Sequence, residues 1–258
     1  MLKKHGNDIK RQLLLLEGCL RMESKLAAQL MKQGVTQIPK AEHVFEKYYE
    51  LLLSWNEKIN LTAITAYDEV VEKHFVDSLT IVKAINMETC TSLIDIGTGA
   101  GFPGIPLKIV FPHLKIVLID SLEKRISFLN EVINTLQLQD IVAIHGRAEN
   151  LGKEEKYREQ FDLCVSRAVS NLSTLSEYCL PFVRIGGRFV SYKGRQVEEE
   201  VDKAKKAWEI LGGELENVIS FKLPESKEDR AIVIIDKVNI TPAKYPRKAG
   251  IPEKRPLK

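Results

Sequence analysis

From Ser92 onward the sequence alternates short apolar runs with helical repeats, and this rhythm restricts the fold more than any other feature of the chain. The apolar runs are Leu93–Ile96, Ile116–Ile119, Ile141–Ile144, Phe161–Val165 and Arg188–Tyr192. Helical patterns lie between them at Ile105–Phe111, Leu122–Leu136, Leu172–Leu180 and Val197–Leu211. Apolar strands separated by helices predict βαβ units and a parallel sheet covered on both faces. The rhythm then breaks. Gly213–Leu223 and Arg230–Val238 are strand-like runs separated by "PESKED", which leaves no room for a crossover helix. That pair predicts an antiparallel hairpin closing an otherwise parallel α/β sheet.

The residues before Ser92 read differently. Residues 1–38 are helical and polar in pattern, and Val44, Tyr48, Leu51, Leu52 and Trp55 recur at helical spacing. A second helix is predicted from about Asp68, an N-cap candidate, through Ile85, with Val71, Phe75, Ser78, Leu79 and Val82 on one face. The chain is therefore expected to divide into a helical extension and cap (1–88), an α/β domain (89–240) and a C-terminal tail (241–258). Hydrophobic residues make up 44% of the chain, enough for a sizeable core. No apolar run approaches the roughly 18–20 residues that span a bilayer. Leu13–Leu16 lacks a small-residue cleavage site, so a cytoplasmic protein with no membrane contact is expected. Cys19, Cys90, Cys164 and Cys179 form neither C-x-x-C nor a zinc spacing, so buried reduced thiols and no metal are expected. The net charge of +3 is unevenly placed: residues 241–258 carry +5 and the remainder −2. Such a tail suits contact with a polyanion, with a solvated terminus as the alternative.

The loop after the first predicted strand reads "LIDIGTGAGFPGIP". In an open α/β sheet this loop lies at the ligand site, outside the carboxyl ends of the strands. Gly99, Gly101 and Gly104 satisfy the dinucleotide pattern G-x-G-x-x-G. A pyrophosphate, however, needs free N–H groups at the helix start. Pro103 has none, Pro106 removes another, and Phe102 puts a bulky ring where backbone would approach. Ile105 and Pro106 stand where a P-loop has Lys and Ser or Thr. A donor without phosphate, S-adenosylmethionine, needs close backbone approach and a carboxylate for its ribose. Asp120 ends the second predicted strand, 23 residues after Gly97, although dinucleotide enzymes place a carboxylate similarly. Loop, prolines, Asp120 and terminal hairpin together favour the methyl donor over NAD. A dehydrogenase therefore stays open as the second reading.

Acceptor chemistry is expected after the fourth strand, in "CVSRAVSN". The [DN]-P-P-[FYW] element of exocyclic-amine methylation is missing there, and Cys164 lies inside the predicted strand with no preceding proline. Cys164 therefore reads as core, not as a nucleophile. Guanine N7 is a lone-pair acceptor that can take a methyl group without losing a proton. Alignment alone would then serve, and no general base is expected.

Seven motifs carry a resemblance to a known family: "WNEKINLTAI", "KHFVDSL", "DIGTGAGFPGIPLKI", "IDSLEKRISFL", "GRAE", "SRAV" and "KYPRKAGIP". From about Tyr48 to the C-terminus the chain closely resembles the bacterial 16S ribosomal RNA guanine-N7 methyltransferases, also called glucose-inhibited division protein B. The resemblance implies a class I S-adenosylmethionine-dependent methyltransferase fold, Rossmann-like, with a mostly parallel seven-stranded sheet ending in the hairpin. It implies methyl transfer to N7 of one guanine in the 530 loop of 16S ribosomal RNA, with the RNA or the 30S subunit as partner and a monomeric enzyme. Gly97 and Phe102 would line the methionine side of the donor site. Asp120, Ser121 and Leu122 would hold the ribose and adjoining adenosine, and Ala148 and Glu149 would flank the adenine. Arg167 would close the donor site and position the incoming base. The competing readings are an ordinary first-turn carboxylate for Glu149 and a loop-bracing ion pair for Arg167. His74 and Asp77, at i and i+3, can face one neighbour, either as a structural bond to the domain or as part of the acceptor pocket. RNA-facing candidates are Lys193 and Arg195 in "YKGR" and Lys244, Tyr245, Arg247 and Lys248 in the tail. Four tail prolines are expected to exclude a regular helix or central strand. An RNA-binding assembly factor without catalysis is the third reading.

Overall fold

The computed structural model describes residues 26–32, 42–167, 170–195 and 197–258. Of residues 1–38, expected to be helical, 26–32 are helical, while 1–25, Cys19 among them, and 33–38 lie outside the described residues. Seven strands form one sheet in the order 3-2-1-4-5-7-6. They are β1 (Ser92–Ile96), β2 (Lys115–Asp120), β3 (Ile141–His145), β4 (Phe161–Arg167), β5 (Val183–Lys193), β6 (Gly213–Lys222) and β7 (Asp229–Lys237). The first five pair in parallel, while β7 runs antiparallel to both β5 and β6. β5 starts at Val183, five residues before the run read from sequence. Val183 pairs with Phe161, and an irregular register separates that pair from Leu163–Arg188, which hides the alternation.

Helices cover both faces. On one face α3 (Gly104–Val110) and α4 (Glu123–Thr135) pack beneath a cap formed by α1 (Glu42–Ile59) and α2. α2 begins as an α-helical turn (Tyr67–Val70), widens to a π-helix (Val71–Val76) and closes with Asp77–Leu79. Asp68 therefore lies inside the first turn, and Ala66 occupies the N-cap. The cap is not a separate unit. Phe45, Tyr48, Leu52 and Phe75 share one core cluster with Leu93, Leu118 and Val165 of the sheet. The opposite face carries α5 (Ala148–Leu151), α6 (Leu172–Cys179) and α7 (Val197–Ile210) around Ile94, Ile96, Cys164 and Phe189. Alternate residues of β1 thus feed opposite cores, as a strand buried on both sides requires. Cys90, Cys164 and Cys179 are free and buried. Among the described residues, no helix is long and apolar enough to cross a membrane.

The tail lies folded on the domain. Tyr245 is buried in the second core cluster, and Pro252 sits in the first turn of α8 (Ile251–Lys254), where a proline is tolerated. The four prolines thus leave room for one helical turn. Arg158 donates to the carbonyls of Gly152, Thr241 and Tyr245 at 2.9, 2.6 and 2.9 Å, tying the start of the tail to the loop after α5.

Candidate functional site

The carboxyl ends of β1, β2 and β3 open into a cleft of about 310 Å³ lined by Gly97, Asp120, Ser121, Arg125, Gly146, Arg147, Ala148, Glu149 and Tyr178, with Ile96 and Ile119 at its floor. Five of the eight donor-site residues expected from sequence meet here: Gly97, Asp120, Ser121, Ala148 and Glu149. Asp120 is 2% exposed. Its Oδ2 accepts the Gly99 N–H at 2.9 Å, its Oδ1 accepts the Leu122 N–H at 3.0 Å, and Arg125 pairs with it at 3.1 Å. Leu122 itself is exposed, at the N-cap of α4.

The glycine loop has little to offer a phosphate. The N–H groups of Gly97 and Thr98 both bond to the Ile119 carbonyl, at 2.9 and 3.1 Å. Those of Gly101 and Phe102 bond to the Thr98 carbonyl. The Gly99 N–H goes to Asp120, and the Gly104 N–H goes to Asp95 Oδ2 at 2.9 Å. Pro103 has none. A dinucleotide site would leave such groups pointing outward at the start of α3. A Cβ at Gly104 would press on the buried Leu118 side chain and lie 2.9 Å from Asp95 Oδ2, so these side chains would have to shift.

Asp95 is fully buried beneath this loop, and its Oδ1 has no hydrogen-bond partner among the described residues. Burial pushes its carboxyl up to about 7, against the pull of the Thr98 hydroxyl and the Gly104 N–H. On the far wall, burial pushes the Tyr178 phenol up to about 12, with the Glu149 carboxylate adding to the shift. Arg125, Arg147 and Tyr178 escaped the sequence reading. Arg125 looks like a solvated helix charge, and Tyr178 belongs to a helix remote in sequence from the loop.

A second pocket of about 420 Å³ opens beside the first, at the ends of β4 and β5, between the cap and the β6–β7 hairpin. Arg167, Lys193, Lys73 and Arg230 bring four cations to it, with Asp77, Glu228, His74 and Tyr192. The Ser166 hydroxyl bonds to the Ile96 carbonyl at 2.8 Å, so the end of β4 is fixed to the residue that precedes Gly97. His74 and Asp77 do face one neighbour, Arg167. Its Nη1 donates to Asp77 Oδ2 at 3.0 Å and its Nη2 to His74 Nδ1 at 3.3 Å. The same guanidinium lies 5.1 Å from the Phe102 ring centre, and His74 stacks on that ring at 4.5 Å. Phe102 is thus clamped under the cap and lines neither pocket. Burial pushes the Asp77 carboxyl above the usual range, while Arg167 and Arg230 draw it back. Burial, with Arg167 adding, lowers His74 to about 3, so the ring is neutral. Its Nε2 meets the Thr62 hydroxyl at 2.9 Å. The π-helical stretch presents His74 here, a placement typical of such irregular turns. Glu72 accepts the backbone N–H groups of Glu225 and Ser226, which docks the hairpin tip against the cap.

The RNA-facing candidates separate by exposure. Lys193 is only 12% exposed and bonds to Glu200 Oε1 at 2.7 Å and the Ser170 carbonyl at 2.8 Å. Arg247 is bound to Glu177, and Tyr245 is buried. Arg195, 80% exposed and paired with Asp229, Lys244 and Lys248 face outward. Among the described residues, no group of three or more His, Cys, Asp or Glu could hold a metal ion.

A parallel sheet closed by an inserted antiparallel strand, with a phosphate-averse glycine loop facing the buried Asp120 carboxylate, defines the S-adenosylmethionine-dependent methyltransferase fold. The family follows from comparison. The model of the GidB family, "rRNA small subunit methyltransferase G", matches residues 41–233, and the chain belongs to that family. A "Ribosomal RNA small subunit methyltransferase G" of Thermoanaerobacter sp. (strain X514) is 56% identical over 216 residues, 84% of this chain and 90% of that protein. The protein of the same description from Desulforamulus reducens is 50% identical over 238 residues, 92% of this chain and 98% of the other. Among solved structures, a mutant of MtNAS superposes with a TM-score of 0.51 at 14% identity, over 77% of this chain and 76% of that one, a likeness of fold alone.

Proposed function

We propose that this protein transfers a methyl group from S-adenosylmethionine to N7 of a single guanine in the 530 loop of 16S ribosomal RNA. The observation that carries the reading is the pairing of two pockets. One is a loop in which the N–H groups of Gly97, Thr98, Gly99, Gly101, Phe102 and Gly104 are satisfied internally, beside a ribose-type carboxylate. The other is a basic pocket fixed to it through Ser166 and Ile96. Family membership supports the ribosomal substrate.

The donor, when bound, supplies an electrophilic methyl group on a cationic sulfur. Asp120 would accept the ribose hydroxyls, and Ala148, Glu149 and Tyr178 would enclose the adenine. Gly97 and the buried Asp95 would lie on the methionine side, where a carboxylate favours a nearby cation. Arg167 is held from three sides, by Asp77, His74 and the Lys73 carbonyl at 3.1 Å. Arg167 lines the second pocket and not the donor cleft, and a guanidinium fixed in this way is suited to orient a base or phosphate there. N7 carries a lone pair and no proton, so attack needs alignment and no base. His74 fits that chemistry: its ring is neutral and both nitrogens face protein groups. The target base must leave its stack to enter the pocket, and an RNA loop makes that least costly. This substrate puts the reaction in the cytoplasm, and a monomer suffices for it.

The test is incubation of the protein with methyl-tritiated donor and either 16S RNA or 30S particles. Label recovered as 7-methylguanosine from the 530 loop is expected. Label on another base, or none on either substrate, would overturn the reading.

A further inference from the structure

We infer that the C-terminal segment 241–258 is a working part of the donor site, with Arg247 as a positioning residue for its adenine-side wall. This rests on reading the 310 Å³ cleft as the donor site. Two of the side chains in that wall, Glu149 of α5 and Tyr178 of α6, come from different elements; the tail binds Glu149 directly and holds α6 through Thr174 and Glu177. The Gly250 N–H donates to Glu149 Oε1 at 2.9 Å. Gly250 adopts φ +79°, in the left-handed region, as it turns into α8. The Thr174 hydroxyl of α6 donates to the Pro252 carbonyl at 3.2 Å.

Glu177, the residue before Tyr178, is the stronger anchor. Its side chain is 1% exposed, and among the described residues every hydrogen bond it accepts comes from Arg247. The Arg247 backbone N–H donates to Oε1 at 2.7 Å, Nε to both oxygens at 2.9 and 3.0 Å, and Nη2 to Oε2 at 2.6 Å. Nη2 also donates to the Arg255 carbonyl at 2.8 Å, which folds the segment back on itself. Without Arg247 a buried carboxylate would stand unpaired one residue from the cleft wall, and α6 would have to shift to hydrate it. Arg247 is therefore committed to the protein and closed to RNA. Lys244 and Lys248, exposed on the outer side, carry the polyanion-facing charge of the tail. The segment lies beyond residues 41–233, the part the family model matches.

The inference is tested with the full chain by Arg247→Met and, for contrast, the double variant Lys244→Glu with Lys248→Glu. Calorimetry with S-adenosylhomocysteine reads donor-site affinity, and filter binding of 16S RNA reads the other. Arg247→Met is expected to weaken S-adenosylhomocysteine about tenfold. It should raise the donor KM in step, leave kcat at saturating donor unchanged and leave RNA affinity unchanged. Arg247→Lys should recover part of the donor affinity, since it restores charge without the fork. The lysine pair should do the reverse, weakening RNA alone. Unchanged donor affinity in a folded Arg247→Met, or a loss confined to RNA, would overturn the inference. Hydrogen exchange on the wild-type protein gives the same answer without a variant. By linkage, S-adenosylhomocysteine should slow exchange of the Arg247 and Gly250 amides, and no change at either refutes the coupling. If wild-type protein fails to bind S-adenosylhomocysteine, the donor-site reading itself falls; binding without tail coupling removes only the inference.

Discussion

Replacing Asp120 by Asn tests the donor cleft at its most constrained point. The carboxylate now accepts from Gly99 at 2.9 Å and Leu122 at 3.0 Å and pairs with Arg125 at 3.1 Å. An Asn of the same shape keeps the carbonyl oxygen for Leu122. It then turns an NH₂ group toward the Gly99 N–H and the Arg125 guanidinium, both donors. Setting donor against donor in a buried site costs about 1–3 kcal/mol. For a domain of this size that is a fall in Tm of about 2–4 °C per kcal/mol. Donor affinity should suffer more specifically. A charge-assisted bond from a ribose hydroxyl contributes about 1.5–3 kcal/mol, so losing one weakens binding by about tenfold to about 150-fold. Titration calorimetry with S-adenosylhomocysteine measures this directly, at a temperature well below the lowered Tm. A dissociation constant within about twofold of wild type, less than 0.5 kcal/mol, would refute the role given to Asp120.

Other outcomes follow from the same geometry. Gly104→Ala would press a Cβ on the buried Leu118 side chain, so thermal unfolding should show a loss of about 1–3 kcal/mol; a Tm equal to wild type would contradict the packing described. Arg167→Ala leaves the buried Asp77 with Arg230 alone, at 3.3 Å, and should cost about 3–5 kcal/mol along with methyl transfer. Arg167→Lys should retain more stability than activity, and equal losses of both would argue against orientation by the fork. The raised carboxyl of Asp95 contributes stability that is complete below the unfolded value near 4 and is lost as pH rises through about 7. Asp95→Asn should therefore flatten the fall in Tm between pH 5 and pH 8, and an unaltered slope would show that Asp95 is not the titrating group. Asp162 has the opposite sign. Burial raises its carboxyl, but bonds from Thr91, Ser92 and Arg184 outweigh this and hold it well below the usual range. Its stabilisation is present above about pH 4 and lost as pH falls, so Asp162→Asn should weaken acid sensitivity.

The sheet was legible because a parallel strand buried on both faces is written as a nearly continuous apolar run. Leu93–Ile96 and Ile116–Ile119 locate β1 and β2 to within one residue at each end. The early start of β5 was not legible, since Arg184, Ile185 and Gly186 are exposed and follow an irregular pairing. The loop's poor fit to a phosphate could be read because backbone chemistry is local: Pro103 and Pro106 have no N–H to offer. Residues that reach the cleft across the fold could not. Tyr178 arrives from α6 and Arg230 from β7, and nothing near either in sequence marks it. The tail shows the limit of charge counting. Its formal +5 is correct, but Arg247 turns inward to a buried Glu177, and a sum over side chains carries no direction.

The central claim is transfer to one guanine of the small-subunit RNA, and nucleoside mapping of 16S RNA from a strain lacking the gene tests it most directly. 7-Methylguanosine in the 530 loop should disappear, return with the wild-type protein and fail to return with Asp120→Asn. An undiminished 7-methylguanosine signal at that loop in the deletion strain would contradict the account.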